Sequence, residues 1–288
     1  MQDFIDLSNF EITNMESEEF SFNCFKIKNS ETLPHWHGHI EIVYVSKGVC
    51  SVFINGELYT CCQGDIIVIP QNSLHSIIPE NTSTYHPIII GEMLLKQTLE
   101  DLHFQSSLSF TLAEKSFSPI HISVIREHYD DFVMIIKRIF NEYETKNVEY
   151  RTIIKLEIIK LFTLIKRYDT DIQTYPAYKK NERTRIIIKV LEYISNHYSD
   201  KISVKSMSSF SNMSEQHFCR VFKAYTGKTL IEFVTLIRLD KSYRLIIDTD
   251  IPITQIPELT GFCNENYFSR IFKKHYGFSP SQLRKANI

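Results

Sequence analysis

Two imidazoles stand two residues apart in the segment Pro34-His35-Trp36-His37-Gly38-His39-Ile40-Glu41. On an extended strand, positions i and i+2 share a face. His35 and His37 therefore converge, and Glu41 joins them if the strand stays regular. Imidazole and carboxylate together form a donor set for zinc, iron, manganese or nickel. The same side chains can instead hydrogen-bond a small organic ligand with no ion between them. Trp36, the single tryptophan, offers a flat face to a sugar ring or a bulky packing surface. His39 is expected to face outward or to pack locally.

A second chemistry-bearing pattern lies near the C-terminus. Phe218-Cys-Arg-Val-Phe-Lys and Phe268-Ser-Arg-Ile-Phe-Lys recur at a spacing of 50 residues, followed by Gly227 and Gly277. A repeated helix-turn-helix is the form taken by modules that place two recognition helices in successive major grooves. In the first unit, Ser203–Phe210 is the expected scaffold helix, and Ser214 the cap of a recognition helix over Glu215–Tyr225. Phe218, Val221, Phe222 and Tyr225 form its inner face, leaving Gln216, Cys219, Arg220 and Lys223 outside. In the second unit the scaffold helix is expected over Ile253–Thr260 and the cap at Asn264. There Phe268, Ile271 and Phe272 point inward, while Glu265, Asn266, Ser269 and Arg270 face out. Arginine pairs with guanine and Asn or Gln with adenine, which makes these side chains candidate base readers. Lys223, Lys273 and Lys274 are candidate phosphate anchors.

Charge supports this placement. Residues 180–288 hold 17 Lys+Arg against 10 Asp+Glu, while the remaining chain holds 15 against 24. Phosphate contact requires local rather than overall positive charge, so a basic third joined to an acidic two-thirds fits a double-stranded DNA partner. The 288 residues suffice for two domains. No apolar run approaches the roughly 20 residues that a membrane span needs. The acidic N-terminus argues against a secretion signal, and six cysteines without a CxxC pair fit reduced thiols in the cytoplasm.

The elements that must position these groups follow from periodicity. Ile42–Val45, Cys50–Ile54, Glu57–Cys61 and Asp65–Ile69 are short and rich in β-branched residues. They are separated by turn signals at Ser46-Lys47-Gly48, Asn55-Gly56, Gln63-Gly64 and Pro70-Gln71-Asn72. Asn55-Gly56 specifies a tight type I′ hairpin, because both residues tolerate positive φ. Such spacing predicts a β-barrel or sandwich. Apolar residues then recur at three and four over Ile122–Tyr143 and Val148–Tyr168. The stripe Val133, Ile136, Phe140, Ile153, Leu156 and Ile159 is expected to pack on the barrel and to make a two-fold homodimer interface.

The C-terminal run Gly261-Phe-Cys-Asn-Glu-Asn-Tyr-Phe268-Ser-Arg-Ile-Phe-Lys-Lys-His-Tyr-Gly277-Phe-Ser-Pro280-Ser-Gln-Leu-Arg284 resembles the AraC/XylS regulator signature. The resemblance covers residues 182–287, including a connecting helix over Glu232–Ile247. It implies base contact by Gln216, Arg220, Asn266 and Arg270, and a partner role toward RNA polymerase. Two positions depart from the pattern. Cys219 replaces a longer polar reader, and Pro257 stands where alanine is usual, so the second scaffold helix is expected to begin late with Thr254 as its cap.

His35–Glu41 and Gly64–His75 resemble the two cupin motifs. In metal-binding cupins the positions matching His35, His37, Glu41 and His75 carry the ion. AraC-type sensors that resemble this chain mostly hold an organic effector there. The expectation is therefore an effector site of His35, Trp36, His37, Glu41 and His75, with no metal and no cofactor. The whole reads as an α+β multidomain protein. A cupin-like sensing barrel occupies 1–118, a helical dimerisation region 119–168, a linker 169–181, and an all-α domain of two helix-turn-helix units 182–288. The expected function is a transcription regulator without enzymatic activity. The alternative is a metal-dependent cupin isomerase or dioxygenase fused to a DNA-binding domain.

Overall fold

The computed structural model describes residues 15–17, 19–100, 119–124, 127–168 and 182–286. The expected linker at 169–181 lies outside the described residues. The chain separates into two compact units, the first ending at Glu182 and the second beginning at Arg183.

The first unit is built on an eight-stranded antiparallel sheet: β1 (Phe22–Cys24), β2 (Ile27–Lys28), β3 (Thr32–His35), β4 (Ile40–Ile54), β5 (Glu57–Cys62), β6 (Ile66–Ile69), β7 (His75–Ile90) and β8 (Ile120–Ile122). Its spine is the long pair β4–β7, in register from Ile40 opposite Ile90 to Ile54 opposite His75. Two strands expected over Ile42–Val45 and Cys50–Ile54 are thus one. Ser46-Lys47-Gly48 is an irregularity in the ladder, not a turn: pairing shifts on either side of Lys47, and Gly48 takes φ 78°. Ser83 crosses so close to Gly48 that a β-carbon would clash with it, which is why glycine occupies this bulge. The expected Asn55-Gly56 hairpin forms, with φ 51° and 90° at its two turn residues.

Alternation along the spine separates two cores. Ile40, Ile42, Ile66, Val68, Ile88 and Ile90 face one way, toward α1 (Glu92–Glu100), α2 (Tyr129–Thr145) and α3 (Tyr150–Arg167). Val43, Val45, Val52, Ile67, Ile69, Ile77 and Tyr85 face the other, into the interior of the sheet. Tyr44 therefore belongs to the helix-facing side, where it packs against the first core.

Helix α2 starts later than the expected Ile122, because Ile120–Ile122 is consumed as a strand against β6. In α3 the buried residues are Ile154, Glu157, Ile158, Leu161, Phe162, Leu164 and Ile165. Ile153 and Ile159 are only half-buried and Leu156 is 55% exposed, so the expected single stripe is split. The segment is apolar at adjacent positions and offers two registers. Packing selects the one that carries Phe162 inward.

The second unit is entirely helical: α4 (Glu182–Asn196), α5 (Val204–Phe210), α6 (Glu215–Thr226), α7 (Leu230–Asp248), α8 (Ile256–Leu259), α9 (Glu265–Tyr276) and α10 (Pro280–Ala286). Ser203 caps α5, and its hydroxyl accepts from the Ser206 amide in a capping box. Thr229 and Glu232 cap α7 in the same way. Helix α7 carries both repeats, with Phe233 edge-on to Phe222 of α6 and Tyr243 stacked on Phe272 of α9.

Candidate ligand site and nucleic-acid interface

In the first unit, His35 at the end of β3 lies opposite His75 at the start of β7, and Glu41 begins the interior face of β4. His37 occupies the β3–β4 connection, whose backbone is fixed by the Asn72 amide donating to the His37 carbonyl at 2.8 Å. These elements bring His35, His37, Glu41 and His75 together, with one donor atom of each within 4.8 Å of the others. All four side chains are buried. Trp36 is buried too. His39 is half-buried, its ring 5.4 Å from that of His37.

Tautomers follow from the hydrogen bonds. His35 Nδ1 lies 2.8 Å from the Leu33 carbonyl, and His75 Nδ1 lies 2.8 Å from the Ser73 carbonyl. A carbonyl only accepts, so both Nδ1 atoms carry the proton and donate. Burial, reinforced by the neighbouring His35, pushes His75 below its ordinary value. Its Nε2 faces Glu41 Oε2 at 2.9 Å. Burial alone would raise the Glu41 carboxyl, but the facing His75 and His37 outweigh it and hold the group below the usual carboxylate range. Nε2 and Oε2 at that distance need a cation between them, either a shared proton or a metal ion. His37 approaches the same oxygen with Nε2 at 3.2 Å, while its buried Nδ1 makes no hydrogen bond among the described residues. Backbone carbonyls that pin Nδ1–H and aim Nε2 inward are the support that metal-ligating histidines usually have. The donor set fits a divalent ion of the zinc, iron, manganese or nickel kind.

In the second unit each repeat exposes one helix. Ser214 Oγ accepts from the His217 amide and Asn264 Oδ1 from the Tyr267 amide, so both expected caps form. Phe218, Val221, Phe222 and Tyr225 are buried beneath α6, and Phe268 and Phe272 beneath α9, with Ile271 half-buried. Gln216, Cys219, Arg220 and Lys223 lie exposed along α6, and Glu265, Asn266, Arg270, Lys273 and Lys274 along α9, with Ser269 half-buried. The scaffold helix α8 is shorter than expected. Gln255, not Thr254, is its cap, without a side-chain hydrogen bond, and Pro257 falls in its first turn, where a missing N–H costs nothing. Gly261 makes the following turn at φ 80°, with the Ser199 carbonyl oxygen 2.6 Å from where a β-carbon would lie.

Two arginines set the frame of these repeats, and the sequence pattern did not single out either for that role. Arg238 Nε donates to the Tyr198 carbonyl at 2.7 Å and Nη2 to that of Asp200 at 2.8 Å, joining α7 to the end of α4. Arg284 donates from Nη1 to the Ile251 carbonyl at 2.6 Å and from Nε to that of Ile246 at 3.1 Å, closing the end of α7. An arginine bonded to backbone carbonyls leaves no periodic signal, so only the fold reveals it.

A β-rich unit with a buried polar cluster, followed by two exposed recognition helices, defines a ligand-binding transcription regulator. The AraC-like ligand binding domain model matches residues 27–144, and a helix-turn-helix domain model matches residues 207–286. The chain belongs to the AraC family of helix-turn-helix regulators. It is 22% identical over 293 residues to the HTH-type transcriptional regulator YdeC of Bacillus subtilis (strain 168), covering 98% of each chain. It is 35% identical over 106 residues to the probable transcriptional regulator LumQ of Photobacterium leiognathi, covering 37% of this chain and 42% of LumQ. Among solved structures, ToxT from Vibrio cholerae is similar at 13% identity and a TM-score of 0.41, over 93% of this chain and 98% of that one.

Proposed function

We propose that the chain binds a specific DNA site through α6 and α9, reading bases with Gln216, Arg220, Asn266 and Arg270. Cys219, Glu265 and Ser269 lie beside them on the same helices, and Lys223, Lys273 and Lys274 anchor phosphate. The carrying observation is the matched exposure of two capped helices, with the aromatic side of each buried and the arginine side bare. The buried cluster of His35, His37, Glu41 and His75 receives the effector, and Trp36 shapes its surroundings. The protein acts as a regulator and not as an enzyme, in keeping with relatives that are named as transcriptional regulators. It works in the cytoplasm, in contact with RNA polymerase. None of the described helices is long and apolar enough to cross a membrane.

A second reading concerns the same cluster. The confrontation of His75 Nε2 and Glu41 Oε2 favours a divalent metal held by His35, His37, Glu41 and His75. When bound, such an ion supplies a Lewis-acidic docking point for an oxygen of the effector. The residues themselves fix the imidazole tautomers and exclude water by burial.

The protein is a homodimer through the outer side of α2 and α3. Met134 on α2 is 58% exposed and Leu156 on α3 is 55% exposed, with Ile153 and Ile159 half-buried on the same helix as Leu156.

The test of DNA reading uses the full chain and a randomised duplex library to select a consensus. Arg220→Ala and Arg270→Ala should each weaken binding to the consensus by about 1–3 kcal/mol and relax preference at one position. Lys273→Ala should weaken consensus and scrambled duplexes alike and lower the salt slope by about one. Unchanged base preference in both arginine variants would sink the assignment.

A further inference from the structure

The two recognition helices hold their arginines by different means at the same place in the repeat. His217 and Tyr267 are equivalent positions, each three residues before its arginine, where helix geometry makes the side chains neighbours. In α6, Arg220 Nη2 donates to His217 Nδ1 at 3.0 Å. In α9, the Arg270 guanidinium lies over the Tyr267 ring, 5.7 Å from its centroid. The Tyr267 ring is itself held against Phe262, 6.2 Å away, and Phe262 is buried against Phe268. The family resemblance implies base contact by Gln216, Arg220, Asn266 and Arg270 and gives no such role to His217 or Tyr267.

We propose that His217 and Tyr267 are positioning residues that preset Arg220 and Arg270 for base reading. The inference rests on the reading of those arginines as base readers. A free arginine side chain samples many rotamers and loses that freedom when it docks. A neighbour that already confines the guanidinium removes part of this loss before DNA arrives. The two devices leave different donors available. The His217 hydrogen bond occupies one Nη2–H and fixes the rotation of the guanidinium plane. The Tyr267 face attracts the cation without occupying any N–H, so Arg270 keeps all five donors. The first unit is thereby the more directional reader, and the second the more adaptable one.

The experiment uses the full chain and the consensus selected from the randomised library. It measures affinity for that duplex, for versions with each base pair replaced, and for a scrambled duplex. His217→Phe should lower consensus affinity about threefold to tenfold and blunt discrimination at the position read by Arg220, leaving scrambled-duplex binding and the salt slope intact. His217→Asn, whose Oδ1 can stand in for Nδ1 as acceptor, should recover most of the loss. Tyr267→Leu should act likewise on the Arg270 position, and Tyr267→Phe, which keeps the ring, should match wild type. In the Arg220→Ala background, His217→Phe should add nothing, because His217 works through Arg220. A further loss in that background, or an equal loss on the scrambled duplex, would show a direct contact and overturn the proposal. If Arg220→Ala loses discrimination while His217→Phe keeps it, positioning fails and base reading stands. If Arg220→Ala itself changes nothing, base reading fails first. Should His217→Phe not fold, His217→Ala carries the same comparison.

Discussion

Metal binding at the four-donor cluster has a computable consequence. With three imidazoles and one carboxylate converging inside 4.8 Å, and two of the imidazoles already in the required tautomer, little reorganisation opposes an ion. A ligand that binds only the folded state stabilises it by RT ln(1 + [L]/Kd), about 2.7 kcal/mol at a hundredfold excess over Kd. For a unit of this size each kcal/mol moves the midpoint by about 2–4 °C, so saturating metal should raise Tm by about 5–10 °C. Even supporting residues of such sites change affinity by about 10- to 100-fold. Loss of the ligand His37 at that upper value would leave about 0.4 kcal/mol at the same metal concentration, a shift of about 1–2 °C. The assay strips the full chain with a chelator, then follows thermal unfolding with added zinc, manganese, nickel or ferrous iron. Metal content is measured in parallel on protein as purified. Only the transition of the first unit should move, and His37→Ala and His75→Ala should each cut the shift to about 1–2 °C or less. If no ion raises that transition, or if the His37→Ala, His75→Ala double variant responds like wild type, the cluster does not hold metal. The contact between His75 Nε2 and Glu41 Oε2 is then bridged by a shared proton, and an organic effector takes the hydrogen bonds directly.

Three other outcomes follow from single features. Gly261→Ala should cost about 1–3 kcal/mol or more, because φ 80° and the Ser199 backbone at 2.6 Å both oppose a side chain; denaturant unfolding of the second unit reads it. His86 is held at about 4 by burial and by Lys26, below its ordinary 6.5, so the unfolded chain binds more protons between those values. Stability should fall as pH drops through that window, by about 1 kcal/mol after solvent screening, and His86→Gln should flatten the dependence of Tm on pH there. Leu156→Glu should shift sedimentation of the full chain from dimer to monomer; a dimer that survives both this and Met134→Glu refutes the α2–α3 interface.

The parts of the fold visible in the sequence are those governed by local rules. Both recognition helices, their Ser214 and Asn264 caps and the Asn55-Gly56 hairpin follow from capping chemistry, turn chemistry and period. The errors fall where tertiary context decides between local options. Ser46-Lys47-Gly48 has turn composition, yet the long partner strand β7 runs past it and converts it into a bulge. That strand contains Pro79 and Pro87, which made it hard to recognise as one element. Ile153 and Leu156 fit a helical stripe as well as Ile154 and Ile158 do, and only the cover on the sheet chooses between them. The polar cluster was legible by residue type. Its state was not, because the tautomers depend on the Leu33 and Ser73 carbonyls, which no side-chain pattern encodes.

Strand β4 connects the cluster to the helices by its pleat. Glu41 points into the sheet interior, while Ile40 and Ile42 on either side of it are buried in the core shared with α2 and α3. A displacement of Glu41 along or out of the strand cannot leave those two side chains in place, because the interior is close-packed and both are fully buried. The same strand therefore carries the buried donor set on one face and the cover of the α2–α3 pair on the other. Geometry alone does not make a switch. An effector shifts the balance between two arrangements only by the difference in its affinity for them, and moving a population from 1:99 to 99:1 needs about 10⁴-fold. About 5.5 kcal/mol of differential binding is within reach of a buried cluster in which a charged pair is either bridged or left facing itself. On the proposed reading, the effector acts through what it does at Glu41 and His75.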